Sequence, residues 1–123
     1  ALDRALRRSG RARVIDSVAV DPGFERALAA ALGEDLEAGT DPDDDRYWAG
    51  SDGADDPVPV GAVPLSNHVA APLLARRLAQ VLVTDSDDGR TLAIGQRLVT
   101  LDGALRRWDG YRARAGSGTI AVP

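Results

Sequence analysis

The residues best equipped for chemistry in this chain are a single histidine and a run of carboxylates. His68 lies two positions after Ser66 in a chain rich in aspartate, so a Ser-His-Asp triad is open by residue type alone. No serine sits in a Gly-x-Ser-x-Gly elbow, and Ser66 precedes Asn67 at what reads as a helix start, so a surface or capping histidine is the simpler reading. The acid run Asp41-Pro42-Asp43-Asp44-Asp45 spaces carboxylates as a calcium loop does. An EF-hand then needs Gly at the sixth position and Glu at the twelfth, where this chain has Arg46 and Asp52. We read it as a solvated acidic loop. A phosphate-binding Gly-x-x-x-x-Gly-Lys loop is impossible without lysine, and Gly116-Ser117-Gly118 lies in the tail rather than between a strand and a helix. Cysteine is absent, which excludes disulfides, thiol catalysis and Cys-based zinc sites. The expectation is therefore no catalytic residue, no metal and no cofactor. The alternative is a small hydrolase or small-molecule-binding domain built on His68 and nearby carboxylates.

The positive charges suggest a different use. All 15 are arginine, and the net charge of −4 conceals a strong segregation. Ten acidic groups fall between Glu34 and Asp56 against the single Arg46, while residues 1–13 carry five Arg and one Asp, and residues 90–123 carry six Arg and two Asp. An acidic excursion sits between two basic ends, which reopens nucleic acid as a partner despite the acidic total. Arg76-Arg77 read as a solvated helix face. Arg106-Arg107 differ, because Trp108 and Tyr111 follow them, and basic groups interleaved with aromatics can hold phosphates and stack bases.

These residues must be carried by one domain, since 123 residues leave no room for two cores. Hydrophobic residues make up 44% of the chain but aromatics only 4%, so the core must be built from Leu, Val and Ala. No apolar run approaches the roughly 18 residues that cross a bilayer, and no signal-peptide pattern opens the chain, so a cytoplasmic protein is expected. The absence of methionine leads us to expect a fragment or a processed chain.

Leu2 and Leu6 stripe a short amphipathic helix ended by Ser9-Gly10. Arg13 to Val20 is rich in β-branched residues and reads as a strand. Asp21-Pro22 reads as an N-cap and first helical position, opening a helix through Phe24, Ala27, Leu28, Ala31 and Leu32 that stops at Gly33. Residues 39–64 form an excursion loop with one short strand near Arg46 to Trp48. Asn67 to Gln80 reads as a helix re-started at Pro72, and Gln80 to Thr84 as a strand. Gln96 to Leu101 is a further strand, turned by Asp102-Gly103 into a returning one over Ala104 to Arg112. The fold class is α+β with a mixed sheet.

The order of these segments resembles the SMC (structural maintenance of chromosomes) hinge domain. Residues Val14 to Gly33, with Phe24-Glu25-Arg26-Ala27-Leu28 and Leu32-Gly33, look like its opening strand and helix. Val81-Leu82-Val83-Thr84-Asp85 resembles its central apolar strand, and Leu98-Val99-Thr100-Leu101-Asp102-Gly103 its "VTLDG" strand and turn. Arg97 to Tyr111 and Leu74 to Gln80 are close to the versions in alphaproteobacterial condensin-type SMC proteins.

The resemblance implies a non-enzymatic homodimerisation module at the tip of a coiled coil, in a cytoplasmic, nucleoid-associated protein of chromosome segregation and condensation. ATP would be bound by head domains elsewhere. It divides the chain into a coiled-coil stub (1–12), the hinge domain (13–112) with its acidic loop (39–64), and an unassigned tail (113–123). The dimer interface it implies comprises Leu98, Thr100, Leu101, Gly103, Trp108, Gly110 and Tyr111; where the family's interface is glycine-rich, only Gly110 is available. A hinge also requires residue 1 and the region of Arg112 to emerge on one side. Arg7, Arg8, Arg11 and Arg13 would then lie near Arg106, Arg107, Arg112 and Arg114 and contact DNA, single strands preferred, without sequence preference.

Overall fold

A computed structural model describes residues 12–117. The stub arginines Arg7, Arg8 and Arg11, and residue 1, lie outside the described residues. The α+β expectation holds: a mixed five-stranded sheet and a two-stranded ribbon pack with two α-helices.

The first expected strand is mostly a 3₁₀ turn, Val14–Ser17, and only Ala19–Val20 is extended (β1). The Asp16 carboxylate accepts from the Arg13 backbone N–H at 2.8 Å, closing the turn. Neighbouring Val14 and Ile15 are both buried, and the Ser17 hydroxyl donates to the Val14 carbonyl at 3.0 Å within the same turn. Asp21-Pro22-Gly23-Phe24 is a tight turn, with the Phe24 N–H donating to the Asp21 carbonyl at 3.1 Å. It is not the expected N-cap; helix α1 starts later, at Glu25–Leu32. Its end at Gly33 and its buried face of Ala27, Leu28, Ala31 and Leu32 are as expected.

The excursion loop is irregular, as expected, until Val63–Pro64 enters the sheet as β2. The strand expected near Arg46 to Trp48 is reduced to an isolated bridge between Tyr47 and Gly39. The helix expected over 67–80, broken or re-started at Pro72, keeps only its second part. Leu65–Asn67 is a 3₁₀ turn, Val69–Ala70 (β3) pairs antiparallel with β1, Pro72–Leu74 is another 3₁₀ turn, and only Ala75–Ala79 is helix α2. Pro72 explains the late start, because the residue before a proline is driven out of helical conformation; Ala71 has φ −158° and ψ 86°.

The main sheet runs β2–β4–β5–β6–β7, with β4 Val81–Thr84, β5 Arg97–Thr100, β6 Leu105–Arg107 and β7 Arg112–Ala113. Only β4 and β5 are parallel. The return expected as one strand over 104–112 is two, separated by a turn at Trp108 to Gly110, and β7 crosses into what was read as tail. On one face Val81, Val83, Val99 and Leu105 join the core with α1 and α2, around Leu28, Leu36, Leu65, Leu74 and Leu78. On the other, Leu82, Leu98 and Arg106 lie in one cross-strand row. The β4–β5 connection, residues 85–96, covers that row: Arg106 binds Asp87 through two hydrogen bonds and donates a third to the carbonyl of Arg90. Leu98 is consequently 1% exposed.

Candidate interaction surface

Strands β5, β6 and β7 form a meander joined by two turns of one design, Leu101-Asp102-Gly103 and Trp108-Asp109-Gly110. Each ends in glycine with positive φ, +98° at Gly103 and +95° at Gly110, the geometry of a three-residue hairpin closed by a bulge. Each turn is tied by its aspartate. The Thr100 hydroxyl bonds Asp102 and accepts from the Ala104 N–H, and Arg107 forks onto Asp109 at 3.0 and 2.6 Å. That bond holds the Asp109 carboxyl below its ordinary range. The first turn packs on helix α1, since a Cβ at Gly103 would meet Arg26 at 3.5 Å.

The second turn carries the aromatics outward. Trp108 is 41% and Tyr111 52% exposed, and the Arg107 guanidinium lies 4.7 Å from the Tyr111 ring centroid. Beyond them β7 is an edge strand without proline. The opposite edge, β2, has Pro64 in the strand, with Pro57 and Pro59 shortly before it, and is thereby guarded against strand addition.

Of the expected interface residues, Leu98 and Thr100 are buried inside this chain, at 1% and 4% exposure, so their side chains are not at the surface. Leu101 and Gly103 are half-buried, and Trp108, Gly110 and Tyr111 are exposed.

The expected arginines fall into two groups. Arg13 is bound to Glu37 and Asp16, Arg106 to Asp87 and Arg107 to Asp109, so their charges are largely answered within the chain. Arg112 and Arg114 are exposed and make no ion pair among the described residues. They line an open groove of about 1260 Å³ between α1 and the meander, together with Arg26 and Arg97. Sequence reasoning missed these last two. The signal for Arg97 was its position two residues before Val99, which places both on the α1 side of β5. Its guanidinium donates to the Ala31 carbonyl at 2.6 Å, and burial, with Arg77 and Arg107 nearby, pushes its pKa down to about 10.

His68 is not assembled into a hydrolytic site. Its Nδ1 lies 3.1 Å from Asp21 Oδ2, and its ring stacks on Phe24 at 3.9 Å, with an interplanar angle of 9°. No serine hydroxyl bonds it among the described residues; the pair braces the β1–β3 ribbon, where the Asp21 N–H also donates to the His68 carbonyl. In the acidic run, Asp41 Oδ1 accepts from the Asp43 N–H and Asp44 Oδ2 from the Asp41 N–H, so these carboxylates organise their own loop.

No family model matches the chain. Two curated proteins do. The chromosome partition protein Smc of Rhodopseudomonas palustris is 43% identical over 116 residues, covering 89% of this chain and 10% of that protein. Its namesake in Cereibacter sphaeroides is 42% identical over 125 residues, covering 94% of this chain and 11% of that protein. The chain is similar, over nearly its whole length, to a segment of these two Smc proteins. It spans about a tenth of the length of these two, and the likeness to SMC proteins read from the motifs holds across nearly all of it. Among the described residues no helix is long and apolar enough to cross a membrane.

Proposed function

We propose that this Smc-related chain is a hinge: a non-enzymatic module that associates with a second copy of itself and joins two coiled-coil arms of a nucleoid-associated, cytoplasmic chromosome-partition protein. ATP binding would belong to head domains elsewhere in the parent protein. The observation that carries the reading is the identity to Smc over about nine-tenths of a chain that is one-tenth of the Smc length. The surface that suits self-association is the β7 edge with Trp108, Tyr111, Gly110, Leu101 and Gly103, because an open edge beside exposed aromatics invites pairing with a second chain. Leu98 and Thr100 then act from beneath, by holding the meander in place. Sedimentation equilibrium at tens of micromolar tests this: a dimer is expected, shifted towards monomer when Trp108 and Tyr111 are both made Ala, and a monomeric parent chain overturns the reading.

DNA contact is a finer part of the same proposal. Arg112 and Arg114 support it, exposed and making no ion pair among the described residues, next to aromatics that could stack bases. With Arg13, Arg106 and Arg107 internally paired, we assign the phosphate contacts to Arg112 and Arg114 together with Arg7, Arg8 and Arg11. Titration of labelled single-stranded DNA at low salt is the test. Binding should weaken on making Arg112 and Arg114 Ala, and no binding at all would remove DNA from the proposal.

A further inference from the structure

A second concavity lies away from the meander edge, between the excursion loop, helix α2 and the tip of the β4–β5 connection. It encloses about 440 Å³, within the roughly 300–1,000 Å³ typical of small-molecule sites. Its walls are mainly apolar: Trp48, Pro57, Leu73 and Ile94. The indole of Trp48 is fixed in place, its N–H donating to the Asp35 carbonyl at 2.9 Å. Ile94 is 81% exposed, so nothing among the described residues covers the apolar mouth that it helps to form.

The polar groups of this cavity are unequally satisfied. Arg76 and Asp56 form a two-pronged pair at 2.8 and 2.8 Å and cancel one another. Gln80 is engaged twice, donating to the Pro57 carbonyl at 2.7 Å and accepting from Gln96 at 3.4 Å. Arg77 is different. Its side chain is only 26% exposed, and its one carboxylate partner, Asp35, is 3.4 Å away and largely in water. Burial pushes its pKa down, Asp35 pulls it back up, and the neighbouring Arg107 opposes its charge again. Arg97, close enough to be lowered by both Arg77 and Arg107, adds to the local excess of positive charge. Arg77, a half-buried cation with a weak counter-ion, thus lines a cavity with aromatic and aliphatic walls.

We propose that this cavity is a binding site for a small amphipathic anion, an aromatic or branched aliphatic carboxylate. Its apolar body lies against Trp48, Leu73 and Ile94, and its carboxylate takes the Arg77 guanidinium. Charge complementarity selects the anion: a planar guanidinium pairs a carboxylate through two parallel hydrogen bonds, and the ligand supplies Arg77 with a closer counter-charge than Asp35 does. A monoanion fits better than a polyphosphate or nucleic acid, because Arg77 is the one under-neutralised cation among the described groups lining the cavity, Arg76 being paired with Asp56 and much of the remaining lining apolar. The proposal does not depend on the hinge reading, since its residues are outside the proposed dimer surface.

The test is a titration of the ¹⁵N-labelled full chain with 4-phenylbutyrate, following the Trp48 indole N–H by NMR. Saturable shifts are expected at Trp48 and at the backbone of Leu73 and Ile94. The neutral analogue 4-phenylbutanol should bind at least tenfold more weakly, as should 4-phenylbutyrate to Arg77→Gln. Leu73→Trp, which fills the cavity while keeping an apolar side chain, should abolish the shifts. If Arg77→Gln fails to fold, the comparison of acid with alcohol on the parent chain and the Leu73→Trp variant still decides. Equal binding of acid and alcohol, or no saturable shift at Trp48 up to about 10 mM ligand, a concentration corresponding to barely 3 kcal/mol of affinity, overturns the proposal.

Discussion

The guanidinium of Arg97 reaches from strand β5 to the last turn of helix α1 and donates to the carbonyl of Ala31 at 2.6 Å. The final carbonyls of a helix have no partner within it, and they carry the negative end of its dipole, so a cation there satisfies both needs. Gly33 alone closes only part of that end, its N–H donating to the Ala29 carbonyl. Arg97 therefore connects the helix to the sheet that it packs on, and remains a cation at neutral pH even with its pKa pushed down to about 10.

Arg97→Gln should accordingly destabilise the fold, by about 2 kcal/mol, the scale of a lost hydrogen bond from a charged group. Arg97→Lys should recover part of the loss, because the charge stays but the fork does not. Urea denaturation of the three proteins measures it; an unchanged midpoint for Arg97→Gln would show that the bond is dispensable.

What the sequence disclosed and what it hid follow from how local each determinant is. Strands β4 and β5 were legible because Val81 to Thr84 and Arg97 to Thr100 are short apolar runs ended by turn residues. The buried face of α1 was legible from the spacing of Leu28 and Leu32 with their alanines. The 3₁₀ turn at Val14–Ser17 was hidden, because β-branched composition favours a strand and only the capping of Arg13 by Asp16 reverses that preference. The helix expected over 67–80 survives only after its re-start at Pro72, and its first part is lost for a non-local reason, since Val69–Ala70 is claimed by pairing with β1. Trp108 and Tyr111, singled out by residue type and by the resemblance, are exposed beside the β7 edge. Leu98 and Thr100 were misplaced, because nothing local announces that residues 85–96 fold back over their face.

The two Asp-Gly turns provide a matched pair of backbone tests. Both glycines have φ near +95°, where any side chain is strained, so Gly110→Ala and Gly103→Ala should each cost about 1 kcal/mol or more. A methyl at Gly110 meets nothing within 4 Å, whereas one at Gly103 comes against Arg26. Gly103→Ala should therefore be no milder than Gly110→Ala in thermal melts, and should also disturb the amide signals of α1 near Arg26. Disturbance of α1 by Gly110→Ala instead would contradict the packing described.

Stability should fall in acid, through a defined set of carboxylates. Hydrogen bonds from arginine lower Asp56, Asp87, Asp88 and Asp109, Asp88 to about 2, and the Arg13 backbone and side chain together lower Asp16. Since these groups hold protons less tightly when folded than when unfolded, their contribution is complete above the ordinary carboxylate pKa of about 4. It is lost as pH falls from about 4 through their lowered folded values, that of Asp88 being about 2. The pairs are partly exposed to solvent, which screens them, so the effect of any one is small. Melting temperature should be flat from pH 7 to 5 and drop below pH 4, and Asp88→Asn with Asp109→Asn should make the drop shallower. A chain whose melting temperature does not change down to pH 2 would contradict this.

Arg90 holds the last part of the excursion loop from across the sheet. Its fork donates to the carbonyls of Val60 at 2.9 Å and Gly61 at 3.1 Å, while Asp88 neutralises and orients it. The segment that it grips buries little of its own, with Val58 82% and Val60 80% exposed, so apolar burial contributes little to fixing it. Its other fastening is the Gln80 side chain on the Pro57 carbonyl. Arg90→Ala should therefore release residues 58–62 while strands β4 and β5 stay intact. Limited proteolysis with an elastase-type protease, which cuts after small aliphatic residues, should then cleave near Val60 several times faster than in the parent chain. Hydrogen exchange at Val81 to Thr84 should be unchanged. Faster exchange throughout the sheet would mean that Arg90 supports the core rather than the loop.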